Sequence, residues 1–535
     1  MTTPRDAIII GAGFSGLYQL HLLRDRLGLD VTVLEAAAGV GGTWYWNRYP
    51  GARCDSESHS YCYMFSRELQ QEWSWTQRYP DQPEIMRYMN HVADRLDLRR
   101  SIRFDTRVTG ARHDEAANLW HVTTEGGGTL SARYLITAVG CLSSANVPRF
   151  DGLEEFGGDW YHTGEWPLEG VDFAGKRVGL VGTGSTGIQA TPVIAAQAAH
   201  LTVFQRTANY SVPAHNAPLT PEFSAWVKAH YEELRAMMRG NTNGHPFTIA
   251  ERSALDVTEA EREALYEQAW AKGGLQFRAI FRDIITDLDA NATAAAFLKR
   301  KIRAAVHDAA VAELLADIDH PYAAKRPPID SHYFETFNRA NVALVDLRPA
   351  PITRITPTGI ATTEAEYPLD VIVFATGFDA MTGPLLRLNI EGRDGLKLRE
   401  AWAEGPRSYL GLQVAGFPNM FTVTGPGSPS VLCNMPVAIE QHAEWIMDCI
   451  AHLRANDIAR IEARTESADA WVAEVNRAAD ATLLPQASSS WYLGANVPGK
   501  PRVFMPYAGG MAHYANICAG VAAKGYAGFT LTPRA

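Results

Sequence analysis

The sequence predicts an α/β protein that contains two copies of one unit, in which a strand, a glycine-rich turn and a helix follow one another. The first copy has the apolar strand Ala7–Ile10 followed by GAGFSG at positions 11–16. The second has the strand Arg177–Val181 followed by GTGSTG at positions 182–187. This order is typical of Rossmann-like dinucleotide-binding domains. A third observation, helical periodicity within residues 213–326, predicts an α-helical insert after the second copy.

The first unit continues with a helical pattern, Leu17–Leu27, and a strand, Val31–Leu34, which ends at Glu35. Glu35 lies nineteen positions after Gly16, where a carboxylate accepts hydrogen bonds from ribose hydroxyls. Because an acid at this position suits an unphosphorylated ribose, we interpret the ligand as FAD. The glycines let a pyrophosphate approach the helix N-terminus. The expected contacts in this turn are Gly11, Gly13, Ser15 and Gly16.

The second unit has the same spacing but the opposite charge at the ribose position. A helix, Ile188–Ala198, and a strand, Leu201–Phe204, lead to Arg206, nineteen positions after Gly187. A guanidinium at this place favours a ribose that carries a 2′-phosphate. The sequence therefore predicts that the second dinucleotide is NADP.

An aromatic loop, GVGGTWYWNRYPGARCDSESHSYCY at positions 39–63, follows the first unit. The rings of Trp44, Tyr45 and Trp46 and the turn at Tyr49–Gly51 predict irregular backbone that covers a planar ligand. A packed aromatic loop without a ligand explains the same pattern. Asp55 stands near the end of this loop, where most aspartates are surface or capping residues.

At 535 residues the chain is too long for a single hydrophobic core. Strands expected at Arg103–Val108, Trp120–Thr124 and Arg133–Ala138 extend the first unit, and strands at Val342–Asp346 and Val371–Ala375 extend the second. After the last of these the chain is expected to return to the first unit. The expected division is a discontinuous FAD-binding domain at 1–141 and 380–535, a discontinuous NADP-binding domain at 142–212 and 327–379, and a helical insert at 213–326.

The composition excludes several classes of protein. The net charge of −10 argues against a nucleic-acid partner, and no apolar run approaches the ~20 residues of a membrane span. The six cysteines form no CxxC pair, which excludes a vicinal redox disulfide and a cysteine-based zinc site. We therefore expect a cytoplasmic protein with no metal site.

Three further segments have no regular periodicity. FGGDWYHTGEWP at 156–167 is expected to be a structured connection between the two nucleotide units, without a helix or strand. The loop Gly425–Met435 is rich in turn residues and apolar at its tip, which suits the edge of a pocket. The segment Ser488–Tyr507 is expected to be a mobile loop with Trp491 as its aromatic anchor, and a plain surface loop explains its composition equally.

These motifs together resemble a known family, the Baeyer–Villiger monooxygenases, which are class B flavoprotein monooxygenases. The family pattern FxGxxxHxxxW[PD] is matched by Phe156, Gly158, His162, Trp166 and Pro167. A second pattern, [AG]GxWxxxx[FY]P[GM]xxxD, is matched by Gly41, Gly42, Trp44, Tyr49, Pro50, Gly51 and Asp55. The resemblance covers essentially the whole chain and is strongest to the phenylacetone and steroid monooxygenase branch, whose GPGSPS loop start recurs at 425–430.

The resemblance implies an NADPH- and O2-dependent enzyme that inserts oxygen beside a ketone carbonyl through a C4a-peroxyflavin, giving an ester or lactone; sulfide oxidation also occurs within this chemistry. It implies Arg326 as the catalytic cation and Asp55 as the acid that orients it. The implied FAD contacts, besides the first turn and Glu35, are Gly42, Thr43, Trp44, Tyr45, Trp46, Arg53, Cys54, Asp55, Tyr61, Val108 and Met435. The implied NADP contacts are Gly182, Thr183, Gly184, Ser185, Thr186, Gly187, Ile188, Gln189, Arg206, Thr207, Lys325, Arg326 and Trp491.

Three other functions share parts of this pattern. A flavin-containing monooxygenase that oxygenates nitrogen or sulfur has both nucleotide turns but does not need Asp55 with Arg326. A pyridine nucleotide–disulfide reductase needs the CxxC pair that the chain lacks. A dinucleotide-binding redox sensor needs neither the insert nor the charged pair. The expected partners are a ketone and O2, the expected assembly is a monomer or weak homo-oligomer, and His162 is interpreted as a structural residue.

Overall fold

The computed structural model describes residues 3–534, in which 20 strands and 16 α-helices alternate along the chain. The strands are β1 (Arg5–Ile10), β2 (Val31–Leu34), β3 (Ile102–Arg103), β4 (Val108–Asp114), β5 (Leu119–Thr124), β6 (Thr129–Thr137), β7 (Asp159–His162), β8 (Arg177–Val181), β9 (His200–Gln205), β10 (Val212–Pro213), β11 (Ile329–Asp330), β12 (Val342–Asp346), β13 (Ile352–Thr356), β14 (Gly359–Thr362), β15 (Glu366–Pro368), β16 (Val371–Phe374), β17 (Asn389–Glu391), β18 (Met420–Thr422), β19 (Ile458–Ala463) and β20 (Phe529–Pro533).

The helices are α1 (Phe14–Leu20), α2 (Thr43–Trp46), α3 (Arg67–Glu72), α4 (Gln82–Arg95), α5 (Ser185–Gln197), α6 (Pro221–Ala229), α7 (Tyr231–Gly240), α8 (Glu259–Lys272), α9 (Leu288–Ala305), α10 (Ala309–Ala316), α11 (Tyr333–Thr336), α12 (Gly383–Leu386), α13 (Leu398–Ala401), α14 (Met435–Ala455), α15 (Thr465–Asp480) and α16 (Met511–Ala523). Among the described residues, none of these helices combines the length and apolarity that a membrane crossing requires.

The larger sheet has the strand order β17-β4-β5-β6-β1-β2-β3, with β18 beside the end of β6. Its centre, β1, pairs in parallel with β2 and β6, and Ile8 and Ile9 on it are fully buried. Two of its strands, β17 and β18, come from the chain after position 380 and pair with β4 and β6.

The second sheet has five parallel strands in the order β12-β9-β8-β16-β7. The prediction that residues 156–167 contain no strand is wrong, because β7 forms its edge beside β16. An edge strand of four residues, with Asp159 and Trp160 exposed, lacks the apolar alternation that reveals a strand in a sequence. Gly158 precedes it because a methyl group there would lie 2.2 Å from the carbonyl oxygen of Asp370.

Two other boundaries differ from the sequence prediction. Arg103–Val108 is not one strand, because β3 ends at Arg103 and a turn with Asp105 at φ 49° separates it from β4. The predicted helices begin earlier than their apolar periodicity: α1 starts at Phe14 and α5 at Ser185, each within the second half of its six-residue glycine motif. After Leu20 the first helix continues as a π-helix to Arg26.

The two connections between the sheets lie side by side. Ala145 pairs with Phe378 in an antiparallel bridge, and the N–H of Asn146 donates to the carbonyl of Gly377 at 3.0 Å. The N–H of Asp379 donates to the carbonyl of Ser144 at 2.8 Å. The chain therefore leaves the first sheet and returns to it through one two-stranded ribbon.

The helical segment contains α6 to α10 and is inserted between β10 and β11, which pair in parallel. The chain thus leaves the second unit and returns to it at neighbouring points. Within it, Arg239 of α7 pairs with Glu440 at 2.8 Å and Glu444 at 2.6 Å, both on α14. The side chain of Glu440 is only 2% exposed, so this ion pair fixes the insert to the long helix beside the first sheet.

Replacing Arg239 with methionine should destabilise the protein by about 3–5 kcal/mol, because the buried Glu440 carboxylate loses its counter-ion. The expected result is a lower midpoint of thermal unfolding. Arg477→Met is the matched control, since Arg477 and Glu474 form an exposed pair whose loss should cost about 1 kcal/mol or less. Equal midpoints for the two variants would show that the buried pair does not hold the insert.

Candidate active site

The first glycine turn presents unsatisfied N–H groups next to a carboxylate. Helix α1 begins after Gly13 without any side-chain cap, so its first N–H groups are free to meet an anion. The carboxylate of Glu35 is buried and accepts hydrogen bonds from Ala12 N–H at 2.6 Å and Ala37 N–H at 2.8 Å. Burial raises the pKa of Glu35 and these backbone donors oppose the shift. The turn therefore fits a pyrophosphate and a ribose.

The aromatic loop lies directly on this turn. The N–H of Gly41 donates to the carbonyl of Ala12 at 3.0 Å, and a methyl group on Gly13 would contact Gly42 Cα at 3.4 Å. Trp44 lies in α2 and donates from its indole to the hydroxyl of Tyr61 at 3.1 Å. The ring of Tyr61 also meets that of Phe14, the first residue of α1, edge-on at 5.4 Å, so the aromatic loop packs against the first glycine turn.

The second glycine turn repeats the arrangement. Helix α5 begins after Gly184, again without a side-chain cap. A methyl group on Gly187 would lie 2.1 Å from the carbonyl oxygen of Gly182, so only glycine lets the helix start this close to the strand end. The hydroxyl of Thr183 donates to the carbonyl of Thr207 at 2.8 Å, which joins this turn to the strand end at Arg206.

Two cations stand near the end of β9. Arg206 is exposed, and Lys325 is half-buried on the segment where the insert returns to the sheet. Burial lowers the pKa of Lys325, Asp319 opposes this, and the charge of Arg206 lowers that pKa further.

A buried acid joins the two nucleotide units. Asp55, 5% exposed, lies 3.5 Å from Arg326, measured between Oδ2 and Nε. Its other oxygen accepts a hydrogen bond from the side-chain amide of Gln189 at 3.1 Å. Gln189 belongs to α5 and also accepts from the hydroxyl of Tyr49 at 2.8 Å. One residue of the second unit thus holds the loop that carries Asp55.

The charges in this pair are set by burial and by each other. Burial raises the pKa of Asp55, while Arg326 and Gln189 act against that shift. Burial disfavours the charged form of Arg326, but Asp55 and the neighbouring groups outweigh it and raise the pKa of the guanidinium. Cys54 beside them remains a thiol, since burial raises its pKa to about 12. Arg326 is therefore a permanent cation in a partly buried place, with two-thirds of its side chain covered.

Two irregular segments of the C-terminal part of the chain are held in place by polar contacts. Residues 425–431 are buried, and Asn434 donates from its amide to the carbonyl of Ser60 at 2.7 Å just before Met435 begins α14. The segment 488–507 is fixed to the ribbon between the sheets, because Lys500 Nζ lies 2.7 Å from Asp379 Oδ1. Of the predicted anchor Trp491 and its neighbour Tyr492, the tyrosine is the more deeply buried ring, at 2% exposure.

His162 and Trp166 are packing residues in this structure. His162 is buried at the end of β7, and its Nδ1 accepts from Gly164 N–H at 3.0 Å. Burial lowers its pKa to about 4, so the ring is neutral at physiological pH. Trp166 is 5% exposed and packs against Phe173 and Tyr161. Neither side chain reaches Arg326 through a hydrogen bond within residues 3–534.

The family follows from comparison with curated proteins. A Baeyer–Villiger monooxygenase of Pseudooceanicola batsensis is 45% identical over 97% of this chain and 95% of its own length. The acetone monooxygenase (methyl acetate-forming) of Gordonia sp. strain TY-5 is 44% identical over 99% of this chain and its whole length. The chain belongs to the Baeyer–Villiger monooxygenases. The predicted family is therefore confirmed, and the protein is an oxidoreductase.

Two solved structures with bound cofactors agree with this fold. Oxidised steroid monooxygenase bound to NADP superposes with a TM-score of 0.95 at 54% identity, over 99% of this chain and all of that chain. The OTEMO complex with FAD and NADP superposes with a TM-score of 0.96 at 41% identity, over 99% of this chain and all of that chain. The predicted α/β fold class and the predicted pair of cofactors, FAD and NADP, are confirmed.

Two comparisons bear on the alternative functions. A family model described as pyridine nucleotide-disulphide oxidoreductase matches residues 8–268 of this Baeyer–Villiger monooxygenase. All six cysteines are free and buried, so the match reflects nucleotide binding and not disulfide chemistry. A phenazine N-monooxygenase of Lysobacter antibioticus is 41% identical over 99% of this chain and 97% of its own length. A protein named for the oxygenation of nitrogen is therefore 41% identical to this chain.

Sequence reasoning missed three residues whose pKa values respond to the charge of Arg326. Tyr492, His245 and Arg278 act on the charges of this region, and the first two are buried. Two of these three lie on the insert, where a single histidine or arginine carries no motif. The NG pair before His245 marked only a turn, so the sequence contained no signal for a site there.

Proposed function

We propose that this enzyme inserts one oxygen atom of O2 between the carbonyl carbon of a ketone and its neighbour, giving an ester or lactone. The overall balance is ketone, O2, NADPH and H⁺ to ester, water and NADP⁺. The observation that supports it best is the buried Asp55–Arg326 pair, fixed by Gln189 between the two nucleotide units. An oxygenase of amines or sulfides does not need such a cation at the acceptor carbonyl.

FAD held on the first turn supplies the chemistry that accepts hydride from NADPH and activates O2. Arg326 provides fixed N–H donors for the negative charge that develops on the oxygen of the ketone carbonyl. Asp55 orients these donors, and Gln189 keeps Asp55 in place. The buried loop 425–431 and the segment 488–507 exclude water from the reacting groups.

The cofactor contacts are proposals that the geometry supports. We assign the flavin nucleotide to the first glycine turn, Glu35, the aromatic loop with Asp55, Tyr61, Val108 and Met435. The segment before Val108 runs beside Glu35, since Thr106 N–H donates to the Glu35 carbonyl at 2.8 Å. We assign NADP to residues 182–189, with Arg206, Thr207 and Lys325 at the 2′-phosphate and Trp491 as part of the cover. The domain division at 141/142, 212/213, 326/327 and 379/380 is proposed with it.

We also propose that the enzyme acts in the cytoplasm as a monomer or weak homo-oligomer, which the free buried cysteines and a reducing compartment suit.

The deciding experiment measures NADPH and O2 consumption with and without ketone, and identifies the product by mass. Ketone-stimulated consumption together with a product heavier than the ketone by one oxygen atom is expected. Consumption that yields only hydrogen peroxide with every ketone tested would contradict the proposed reaction.

Replacing Arg206 with alanine should raise the KM for NADPH by roughly 10- to 100-fold and leave the KM for NADH nearly unchanged, because one charged hydrogen bond to the 2′-phosphate is lost. Steady-state kinetics with the two cofactors measures the ratio. Arg348→Ala is a matched control, since Arg348 forms its ion pairs with Asp317 and Asp346. An equal effect of Arg206→Ala on both cofactors would place the phosphate elsewhere.

A second candidate function is oxygenation of an aromatic nitrogen, which the similarity to phenazine N-monooxygenase favours. Incubation of the holoenzyme with phenazine and with a ketone in parallel separates the two functions. An N-oxide from phenazine and no ester from any ketone would replace the ketone reaction with this one.

A further inference from the structure

A cavity of about 160 Å³ lies in the C-terminal part of the chain, beside the start of the loop Gly425–Met435. One face of α15 forms one of its walls, and three irregular segments form the others. The lining residues are 404–408, Pro426 and Gly427, the α15 residues Trp471, Val472, Val475 and Asn476, and residues 503–505. The glycine turns and the Asp55–Arg326 pair are not among them, so the cavity is distinct from the site described above.

The inner wall of the cavity is apolar, and its buried polar side chains already have partners. Phe504, which is 8% exposed, forms part of this wall. The indole of Trp471 donates to the carbonyl of Gly427 at 2.9 Å, and the hydroxyl of Ser408 donates to the carbonyl of Pro426 at 2.6 Å. Because water in this space finds few free hydrogen-bonding groups, an apolar molecule is favoured over it.

The size of the cavity and its mouth define the class of ligand. An apolar cavity of about 150 Å³ holds benzene, so this one accommodates a single six-membered ring. The exposed lining residues Glu404, Arg407 and Asn476 form the mouth. Arg407 pairs with Asp469 at 3.0 Å, so the mouth carries both signs of charge and selects neither an anion nor a cation. The ligand that fits is an uncharged ring with one polar substituent at the mouth.

Backbone hydrogen bonds join this cavity to the segment 488–507. The N–H of Gly427 donates to the carbonyl of Met505 at 2.7 Å, and the N–H of Met505 donates to the carbonyl of Tyr492 at 2.9 Å. Tyr492 belongs to the short 3-10 helix Trp491–Leu493. One residue of the cavity wall, Met505, is thereby bonded both to the loop and to the helix that carries the aromatic anchor.

The cavity depends on the position of the segment 488–507. Its walls include residues 503–505 and residues 426–427, so it has this shape only while the two segments lie against each other. A molecule that binds to one arrangement and not to another shifts the population toward the first. Filling the cavity therefore stabilises the contact between the loop and the segment that carries Trp491.

We propose that this cavity is an effector site for an uncharged monocyclic molecule, whose binding holds the segment 488–507 in place and strengthens the binding of NADP⁺. The site itself is independent of the reaction. Its effect on NADP⁺ rests on the proposed function, in which Trp491 is part of the cover over that cofactor. The bound molecule takes no part in the transfer of oxygen.

Benzyl alcohol is the probe, because it has one ring and one hydroxyl and lacks a carbonyl group that could be oxygenated. Calorimetric titration of the FAD-loaded enzyme with NADP⁺ present should give a Kd of roughly 0.1–1 mM, the value for eight non-hydrogen atoms of moderate ligand efficiency. Val472→Phe, which adds a ring to the wall, should weaken this binding by at least about tenfold. Ala473→Phe is the matched control, because Ala473 is exposed on the same helix and does not line the cavity.

Asn476→Trp is a second variant, which obstructs the mouth from an exposed position and leaves the buried wall unchanged. It should weaken the binding of benzyl alcohol as well. Any benzyl alcohol bound at the ketone site persists in both variants, so only the binding that they lose is assigned to the cavity. The FAD absorbance of each purified variant shows that it is folded.

Reciprocal titrations test the effector role. Saturating benzyl alcohol should lower the Kd of NADP⁺ by at least about threefold in wild type and in Ala473→Phe, and NADP⁺ should lower the Kd of benzyl alcohol by the same factor. In Val472→Phe the Kd of NADP⁺ should not respond to benzyl alcohol, because the cavity is already filled.

Equal affinity of wild type, Val472→Phe and Asn476→Trp for benzyl alcohol would overturn the proposed site. Weaker binding in both variants, together with an unchanged Kd of NADP⁺ in wild type, would overturn the effector role. If ketones give ester but the variants bind benzyl alcohol as wild type does, only this inference fails. If no ketone gives ester while the reciprocal effect is present, only the proposed function fails.

Discussion

Arg326→Ala should bind FAD and still oxidise NADPH, yet lose ester formation by at least about 100-fold, the usual effect of removing one donor to a developing oxyanion. The expected result is NADPH oxidation that is coupled to hydrogen peroxide and no longer to product. Asp55 then stays protonated to higher pH, because burial already raises its pKa and Arg326 is the main group that opposes the shift. The measurement that checks this prediction is the amount of ester formed per NADPH oxidised, with the ester determined by mass spectrometry.

The control for this substitution is Arg282→Ala, which removes an exposed arginine of the insert, with a side chain that is 60% accessible. It should leave the product yield unchanged. Arg326→Lys retains the charge but not the planar fork, so it should recover only a small part of the activity. A normal ester yield from Arg326→Ala would remove Arg326 from the reaction.

Gly187→Ala should prevent NADPH from binding while FAD remains in place. The added methyl group would lie 2.1 Å from the carbonyl oxygen of Gly182, so α5 has to move away from the end of β8. The first turn of that helix then no longer reaches a pyrophosphate, and we expect the KM for NADPH to rise by roughly 100-fold or more. Since Gln189 lies on the same helix, the position of Asp55 is disturbed as well.

Gly520→Ala in α16 is the control for an added methyl group. A Cβ there meets no atom within 4 Å, so the substitution should stabilise the protein by about 0.5–1 kcal/mol without changing kinetics. Stopped-flow reduction by NADPH and the FAD absorbance of the purified variants distinguish the two effects. Unchanged reduction kinetics in Gly187→Ala would mean that the pyrophosphate is not bound at this turn.

The sequence was sufficient to predict the features whose residues follow one another in the chain. Strand, glycine turn and helix are consecutive in the chain, so both nucleotide units and the charges at Glu35 and Arg206 were readable without a structure. The strand β7 was not, because an exposed edge strand gains its hydrogen bonds from β16, more than two hundred positions away. Its pairing partner, and not its own composition, determines its conformation.

Some residues of the candidate site were predicted from the family resemblance, and others were recognised only in the folded structure. Asp55 and Arg326 lie far apart in the sequence, one in the aromatic loop and the other at the end of the helical insert. Their pairing was expected only from the family pattern. Gln189 was expected at NADP, and the structure adds its hydrogen bond to Asp55. Arg278 had no signal at all, because an arginine inside a helical insert is most often a solvated residue.

The ribbon that joins the two sheets also has a mechanical consequence. A single strand of chain bends and twists freely, whereas two antiparallel strands tied by hydrogen bonds bend across their flat face and resist sliding past each other. We therefore expect rotation of one sheet relative to the other to occur mainly about an axis through Ala145 and Phe378. Lys500 is tied to Asp379 and Ala380 at the end of this ribbon. We expect the segment 488–507 to follow the same rotation, so that its position changes together with the angle between the sheets.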